Sequence, residues 1–151
     1  LQFNQTPALR LGDTDFDYTA FVDLGNLMWC AMAIGTCEAI KAYCIKYANE
    51  RTAFGEPISH RQSVAFMIAD MAIEIDAMRM LVLNAASLAE AGKPFYREAY
   101  LARLLCAEKS MKMGTDGVQI LGGHGFTKEH PVERWYRDLR ATAILHSGLH
   151  A

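Results

Sequence analysis

The stretch SVAFMIADMAIEIDAMRMLVLNAASLAEAGKP, from Ser63 to Pro94, consists almost entirely of residues that favour an α-helix until close to its end. Gly92 and Pro94 then end the pattern. Within the stretch, apolar side chains return at helical spacing and form a candidate core: Val64, Met67, Met71, Ile75, Met78, Leu81 and Leu83. A segment of this length with this period predicts a long helix rather than a strand.

The start of this helix has a sequence signal of its own. Ser59 and Gln62 stand in the S-x-x-Q form of a capping box, in which each side chain would satisfy a free backbone N–H. The helix is therefore predicted to run from Ser59 to Ala91. Gly55 and Pro57, just upstream, cannot sit comfortably inside a helix and mark a break.

Three other helices flank this one in the sequence. Their predicted ranges are Phe21 to Ala48, Phe95 to Leu121 and Pro131 to Arg140. Gly122 and Gly123 end the second of these three, and brief loops join all the helices. The pattern predicts an all-α fold, an antiparallel up-down helical bundle over residues 21–151. Residues 1–20 are polar and irregular, and are predicted to be a linker or the tail of a preceding domain.

Two glycines inside the helix from Phe95 to Leu121 predict a close crossing. Gly114 and Gly117 lie three residues apart, so they fall on nearly the same helix face. A residue without a side chain lets another backbone approach the helix closely. A neighbouring element of the bundle is therefore expected to pack directly against this face.

Composition excludes several classes of function. The chain has 151 residues, enough for one domain with a proper core, and 52% of them are apolar. A net charge of −2 gives no electrostatic footprint for nucleic acid. The chain has no run of 18 uncharged apolar residues, and its start lacks a signal-peptide pattern. No membrane span is therefore expected, and the expected location is cytoplasmic.

The four cysteines favour buried thiols over a metal site. Cys30, Cys37 and Cys44 recur every seven residues, which places them on one stripe of a helix, and Cys106 stands apart. No C-x-x-C pair is present, so zinc is not expected. The chain is predicted to hold no metal and to keep these thiols reduced, as in a cytosol-like compartment.

Three breaks between helices carry unusual residues. They read ERxxFGxxIxxxQ from Glu50, DxxQxxGGxGF from Asp116 and PxxRxxRDxR from Pro131. In this order and with these intervals, they resemble the C-terminal helical domain of the flavin-dependent acyl-CoA dehydrogenases. The resemblance covers Asp23 to Gly148, which is nearly the whole chain.

The resemblance implies a homodimer or tetramer in which this domain packs around FAD bound between subunits. Arg51 would reach the cofactor's pyrophosphate in the neighbouring subunit, since a guanidinium can clamp a pyrophosphate with two parallel hydrogen bonds. Phe54 would pack beside it, with Ile58 and Gln62 as neighbours in the same motif. The residues alone leave open a plain ion pair between Arg51 and Glu50 or another nearby acid.

The glycine motif is implied to meet the ADP half of the same cofactor. Gln119, Gly122 and Gly123 would approach it, because glycine lets the backbone come close to a phosphate or sugar without a Cβ in the way. A plain helix end stays open as the alternative for the two glycines. The resemblance also implies an acyl-CoA substrate and an electron-transfer flavoprotein or similar acceptor. In a eukaryote it implies the mitochondrial matrix.

The chain departs from the family where the catalytic base is expected. The family's usual glutamate stands eight residues after the aspartate of RDxR, and here that position is His146. A minority of members place the base near the start of the first helix. This chain has Gly25 there, followed by Asn26 instead of the usual arginine. Both positions therefore lack a carboxylate.

Four functions stay open. The first is a domain of an acyl-CoA dehydrogenase whose base lies elsewhere, with Glu38 and Asp23 as candidates. The second is a divergent flavoenzyme, similar to the flavin monooxygenases of this fold, in which His146 is the base. The third is a subunit without a base that completes the FAD sites of an active partner. The fourth is a non-enzymatic helical interaction module, which the cofactor motifs speak against. No chemical role is assigned to His60, in the first turn of a predicted helix, or to His124 and His130, which lie between predicted helices.

Overall fold

The computed structural model describes residues 4–9 and 12–144 of the chain. Four α-helices account for most of this part: α1 (Tyr18–Glu50), α2 (Gln62–Glu90), α3 (Tyr96–Leu121) and α4 (Val132–Ile144). Short connections join α1 to α2 and α2 to α3, and each of these three helices packs against the other two. α4 packs mainly against α3. The prediction of an all-α antiparallel bundle is confirmed.

α1 is longer at both ends than the sequence pattern predicts. At its start the Asp17 carboxylate accepts a hydrogen bond from the backbone N–H of Ala20 at 2.9 Å, which satisfies a free donor of the first turn. At its other end Arg51 leaves the helical conformation with a φ of −78° and a ψ of 117°, while its N–H still bonds to the carbonyl of Tyr47. The chain thus becomes extended at the first cofactor motif.

A short β-hairpin, which the sequence analysis missed, joins α1 to α2. β1 (Thr52–Ala53) pairs antiparallel with β2 (Glu56–Pro57) across a turn at Phe54 and Gly55. Both turn residues have a positive φ, 56° for Phe54 and 87° for Gly55. Strands of this length carry no alternating pattern that a sequence could reveal.

The predicted capping box at Ser59 is wrong. Ser59 lies in a 3-10 turn over Ile58–His60, and α2 begins at Gln62 without a side-chain cap. The residue before α2 is Arg61, whose guanidinium binds the Glu56 carboxylate at 3.2 Å. The hairpin and its ion pair therefore hold the start of α2, which leaves the serine with no capping role.

The core lies mainly between α1, α2 and α3, and Val132 and Leu139 of α4 are part of it. On α2, the predicted core residues Met71, Ile75 and Met78 are buried, whereas Leu83 is 56% exposed. Full burial of one aliphatic side chain contributes about 1.5–3 kcal/mol to folding. Several such residues on each helix make this interface the main source of the domain's stability.

The cysteine stripe of α1 faces this core, as predicted. Cys30, Cys37, Cys44 and Cys106 are buried and are free thiols. Burial raises the pKa of the Cys37 and Cys44 thiols to about 12, because a thiolate is poorly solvated there. These groups act as small core residues rather than nucleophiles. Within residues 4–9 and 12–144, no three potential ligands cluster as a metal site would require.

The glycines of α3 admit their neighbours as predicted. A Cβ on Gly117 would lie 2.7 Å from Cγ2 of Ile40 on α1 and 3.1 Å from Cγ1 of Val132 on α4. A Cβ on Gly114 would lie 3.1 Å from the Cα of Tyr136 on α4. α3 is therefore the helix against which both α1 and α4 pack closely.

By length and composition alone, α1 could cross a membrane, with a mean hydropathy of 1.3 over its most apolar window. Core helices of soluble proteins meet the same criterion. Cys30, Ile34 and Cys37 lie in the core, which accounts for part of this hydropathy. The rest comes from exposed apolar residues on the other side of α1, among them Phe21, Leu24, Met28 and Met32. The expectation of no membrane span stays a prediction.

Candidate cofactor site

Two of the three sequence motifs meet at one end of the bundle. The end of α1 and the start of the 3-10 turn at Ile58 face the C-terminal end of α3 and the 3-10 turn Gly122–Phe126 that follows it. Between them lies a cavity of about 380 Å³, called here the glycine cleft. Its lining residues are Tyr47, Arg51, Ile58, Ile120, Leu121, Gly122, Gly123 and His124.

Gly122 and Gly123 differ in backbone conformation, but both leave open space where a side chain would be. Gly122 ends α3 with a φ of 60° and a ψ of −134°, a backbone conformation that residues with a side chain rarely adopt. Gly123 has no such constraint. At both positions an added Cβ would meet no atom within 4 Å, so it would point into open space. The backbone here is bare, exposed and open to close approach by a ligand.

Arg51 supplies the cleft's positive charge. Its side chain is exposed and has no hydrogen bond or ion pair with any residue that the structure describes. The alternative of an ion pair with Glu50 or a nearby acid is therefore not observed in this part of the chain. An unpaired guanidinium beside bare backbone is a suitable receptor for a phosphate or pyrophosphate group.

The structure does not bring all predicted site residues into the glycine cleft. Arg51, Ile58, Gly122 and Gly123 line it. The others lie at the surface outside its lining: Phe54, Gln62 and Gln119. Phe54 is 94% exposed, and the guanidinium of Arg61 lies over its ring, 5.6 Å from the ring centre. A side chain this apolar and this exposed is available to another molecule.

Sequence analysis missed two residues that organise the cleft. The hydroxyl of Tyr47 lies 2.8 Å from Nδ1 of His124 and 3.4 Å from the carbonyl oxygen of Leu121. These contacts tie the last turns of α1 to the glycine turn after α3. The available signal was positional, since Tyr47 stands one helical turn before Arg51 and shares its face.

A second cavity of about 320 Å³ adjoins the first. It is called here the histidine cleft, and its lining residues are Tyr43, Lys46, Tyr47, Glu50, Arg51, His124 and His130. The rings of His124 and His130 stack with centres 5.2 Å apart and planes 27° apart. The hydroxyl of Tyr43 lies 2.8 Å from Nδ1 of His130. His124 and His130, two of the three histidines without an assigned role, therefore form one ordered cluster with two tyrosines.

Neither of the two described candidate bases, Glu38 and Asp23, lines either cleft. His146 lies outside the described residues. Glu38 is 2.6 Å from both Lys41 and Arg79, and these bonds hold the pKa of its carboxyl below the usual range, so it is a paired surface acid. Burial, and then the charge of Asp17, raise the pKa of Asp23. Asp23 lies near the start of α1 and lines neither cleft.

The alternative base position on the first helix has no carboxylate either, but it has a notable neighbour. Gly25 lies on α1 with no atom within 4 Å of an added Cβ. Beside it, the side-chain oxygen Oδ1 of Asn26 is buried without a hydrogen-bond partner. Asn26 therefore keeps an unsatisfied acceptor at this point of α1, and Gly25 leaves open space beside it.

The described residues form a helical domain in which an unpaired arginine lies beside bare glycine backbone. The chain belongs to the acyl-CoA dehydrogenase family, because residues 18–148 match the family's C-terminal domain. It is 39% identical over 123 residues to the short-chain specific acyl-CoA dehydrogenase of Megasphaera elsdenii, covering 82% of this chain and 32% of that protein. It is 40% identical over 138 residues to the caffeyl-CoA reductase–Etf complex subunit CarC of Acetobacterium woodii, covering 89% and 36%.

The same likeness holds in three dimensions. The structure of butyryl-CoA dehydrogenase from Megasphaera elsdenii superposes with a TM-score of 0.84 at 37% identity, over 87% of this chain and 34% of that one. The chain thus spans about a third of the length of these relatives. The resemblance inferred from the three motifs is confirmed at the level of the family and its C-terminal domain.

Proposed function

We propose that this chain is the FAD-binding and subunit-contact domain of an oxidoreductase that desaturates acyl-CoA thioesters between Cα and Cβ. The observation that carries the proposal is the glycine cleft. Arg51 and Ile58 from one motif and Gly122 and Gly123 from another, far apart in sequence, line one cavity. Neither motif could form the site alone.

The residues present fit a dinucleotide. The unpaired guanidinium of Arg51 would bind the pyrophosphate, and the bare backbone at Gly122 and Gly123 would let the ADP half lie against the turn. A cavity of about 380 Å³ is near the lower end of small-molecule sites, so this chain would enclose only part of the cofactor. When bound, FAD would accept the hydride that leaves the substrate's β-carbon.

The exposed apolar residues support an oligomer, either a dimer or a tetramer. Phe66, Ile73 and Met80 lie seven residues apart on α2 and are each more than 60% exposed, so they form one outward stripe. Phe54 is exposed beside Arg51. In the proposed assembly a neighbouring subunit covers these side chains, and Phe54, Gln62 and Gln119 contact a cofactor that both subunits share.

The proposed substrate is an acyl-CoA thioester, and the proposed acceptor is an electron-transfer flavoprotein or a similar carrier. The names of the relatives support both, since one is short-chain specific and another is part of an Etf complex. The proposed location is the cytoplasm, or the mitochondrial matrix in a eukaryote. The mouse short-chain relative is named as mitochondrial.

Because neither usual position of the catalytic base has a carboxylate, there are two narrower proposals for how the α-proton is removed. In one, His146 takes the α-proton, as in a flavin monooxygenase-like member of the fold. In the other, the chain is part of a subunit without a base and completes the FAD site of an active partner. Glu38 is committed to Lys41 and Arg79, which makes it unsuitable as a base in this chain.

The test is the flavin spectrum of the full-length protein with added acyl-CoA esters. Bleaching of the oxidised flavin is expected if the protein carries out the reductive half-reaction. If His146 is the base, His146→Ala should slow bleaching by on the order of 10²–10⁴-fold, the usual contribution of a positioned general base. In a subunit without a base, wild type should fail to bleach and His146→Glu should restore some reaction. Absence of bound flavin in the wild-type protein would contradict the proposed function.

A further inference from the structure

The histidine cleft has walls that the proposed flavin contacts do not use. It shares Tyr47, Arg51 and His124 with the glycine cleft. Four other residues line only the histidine cleft: Tyr43, Lys46, Glu50 and His130. We infer that the histidine cleft is a second binding site, and that its ligand is a phosphate group, either free or in a monoester.

The charge of the cleft favours an anion. In the part of the chain that the structure describes, the side chains of Lys46 and Arg51 have neither an ion pair nor a hydrogen bond. Glu50 is the one acid in the lining, so two cations face one carboxylate when the imidazoles are neutral. Unpaired cations at the mouth of a concave surface attract and hold an anion more strongly than the same charges on an open face.

The histidines supply directional donors. The hydroxyl of Tyr43 lies 2.8 Å from Nδ1 of His130, and its O–H can donate to that nitrogen. That bond places the proton of a neutral His130 on Nε2, where it is free to donate to a ligand. His124 takes the same form when Tyr47 donates to its Nδ1. In these tautomers an anion in the cleft would meet N–H donors of both imidazoles as well as the Lys46 ammonium and the Arg51 guanidinium. When the O–H of Tyr47 instead donates to the carbonyl of Leu121, at 3.4 Å, the N–H donor at Nε2 is that of His130 alone.

These donors are held in place before any ligand arrives. Tyr47 packs edge-on against both imidazoles, with ring centres 6.1 Å from His124 and 5.8 Å from His130. Tyr43 packs edge-on against Trp135 of α4 at 6.0 Å. A site that is already ordered loses less entropy on binding. A volume of about 320 Å³ suits a phosphate with a group the size of a nucleoside rather than a complete dinucleotide.

The experiment titrates inorganic phosphate and AMP separately into the full chain at constant ionic strength. Binding is followed by the NMR resonances of the histidine side chains. A saturable shift of the His124 and His130 signals is expected. His130→Phe keeps a ring in the stack but removes the donor, and Lys46→Gln removes one charge. Each should weaken binding on the order of tenfold, as expected for one lost charge-assisted contact.

The matched control is Lys93→Gln, which removes the same charge from an exposed lysine of the α2–α3 connection. It should change the affinity by less than about twofold. An equal loss in Lys93→Gln would overturn the site, because binding would then follow net charge alone. Absence of a saturable shift, or unchanged affinity in both His130→Phe and Lys46→Gln, would also overturn it. AMP binding more tightly than phosphate would support a nucleotide as the ligand, and equal affinities would support free phosphate.

The site is also separable from the proposed flavin function. FAD affinity should be unchanged in His130→Phe, because His130 does not line the glycine cleft. At saturating FAD the pyrophosphate would occupy Arg51, so phosphate should bind the histidine cleft more weakly, through Lys46 and the histidines, but should not be displaced. If FAD displaces it competitively, the two clefts form one site and the inference is wrong. If FAD fails to bind while phosphate binding stays sensitive to His130→Phe, the flavin proposal is wrong and this site stands.

Discussion

Two pairs of glycines, one inside α3 and one just after it, have opposite roles. Gly114 and Gly117 are buried inside α3. Atoms of Ile40 on α1 and of Val132 and Tyr136 on α4 fill the space that a side chain would need. Gly122 and Gly123 are exposed just after α3, where an added Cβ would meet nothing within 4 Å. In the first pair the missing side chain makes room for the protein itself. In the second pair the missing side chain leaves the backbone open to another molecule. The atoms around each glycine, rather than the glycine itself, decide between these two roles.

The strongest test of this difference is to add a side chain at one of the buried glycines. Gly117→Val should lower the free energy of unfolding by about 3 kcal/mol, because the core must move to accept atoms that overlap Ile40 and Val132. The matched control is Gly35→Val on α1, where no atom lies within 4 Å of a Cβ. It should change the stability by less than about 1 kcal/mol. Urea unfolding followed by circular dichroism measures both, and equal losses would show that the crowding around Gly117 does not decide the cost.

The next test asks whether the exposed pair belongs to a cofactor site. In the full-length protein, Arg51→Ala should weaken FAD binding by about 1.5–3 kcal/mol, the range for a charge-assisted contact. Arg97→Ala removes the same charge at an exposed position near the start of α3 and should leave the affinity unchanged. Equilibrium titration with flavin fluorescence measures both. Equal FAD affinity in wild type and Arg51→Ala would mean that Arg51 has no role in holding the cofactor.

Much of the fold could be predicted because its helix ends are set by local chemistry. Gly92 has a φ of 65° and Gly122 a φ of 60°, so each ends a helix as glycine in that conformation does. The start of α2 could not be predicted in the same way. Ser59 offered a local cap, but the β-hairpin and the pair between Glu56 and Arg61 fix the chain there, and such contacts depend on the fold of the preceding loop.

The site was predictable only where one motif carries its own residues. Arg51, Ile58 and the two glycines come from motifs that the sequence displays. Tyr47 and His124 are 77 residues apart, and no local pattern signals their hydrogen bond. The sequence likewise does not show that Phe54 is 94% exposed rather than packed in the core. Contacts between residues far apart in the sequence, and the exposure of single side chains, are therefore the features that the sequence could not predict here.

A finer test separates the two exposed glycines from each other. Gly122→Ala should destabilise the fold by about 1–2 kcal/mol, because alanine is strained at a φ of 60°. Gly123→Ala should cost less than about 0.5 kcal/mol, since its backbone has no such constraint. Both should weaken FAD binding in the full-length protein, because either methyl group would enter the glycine cleft. Thermal unfolding and flavin titration measure the two effects. Normal FAD binding in Gly123→Ala would mean that this glycine serves only the helix end.

The smallest effect is expected where neither packing nor a ligand is involved, at Glu38 between α1 and α2. Its hydrogen bond to Lys41, and then that to Arg79, lower the pKa of the carboxyl in the folded state. A depressed folded pKa means that the stabilisation is present above the unfolded value of about 4.3 and is lost as the pH falls through the folded one. Glu38→Gln should therefore cost less than about 1 kcal/mol at pH 7, since the pair is partly exposed, and should match wild type well below pH 4. Glu90→Gln, an exposed acid without an ion pair in the described chain, should show no difference at either pH. Urea unfolding at both pH values measures this, and a loss in Glu38→Gln that persists in acid would show that shape rather than charge makes the contact.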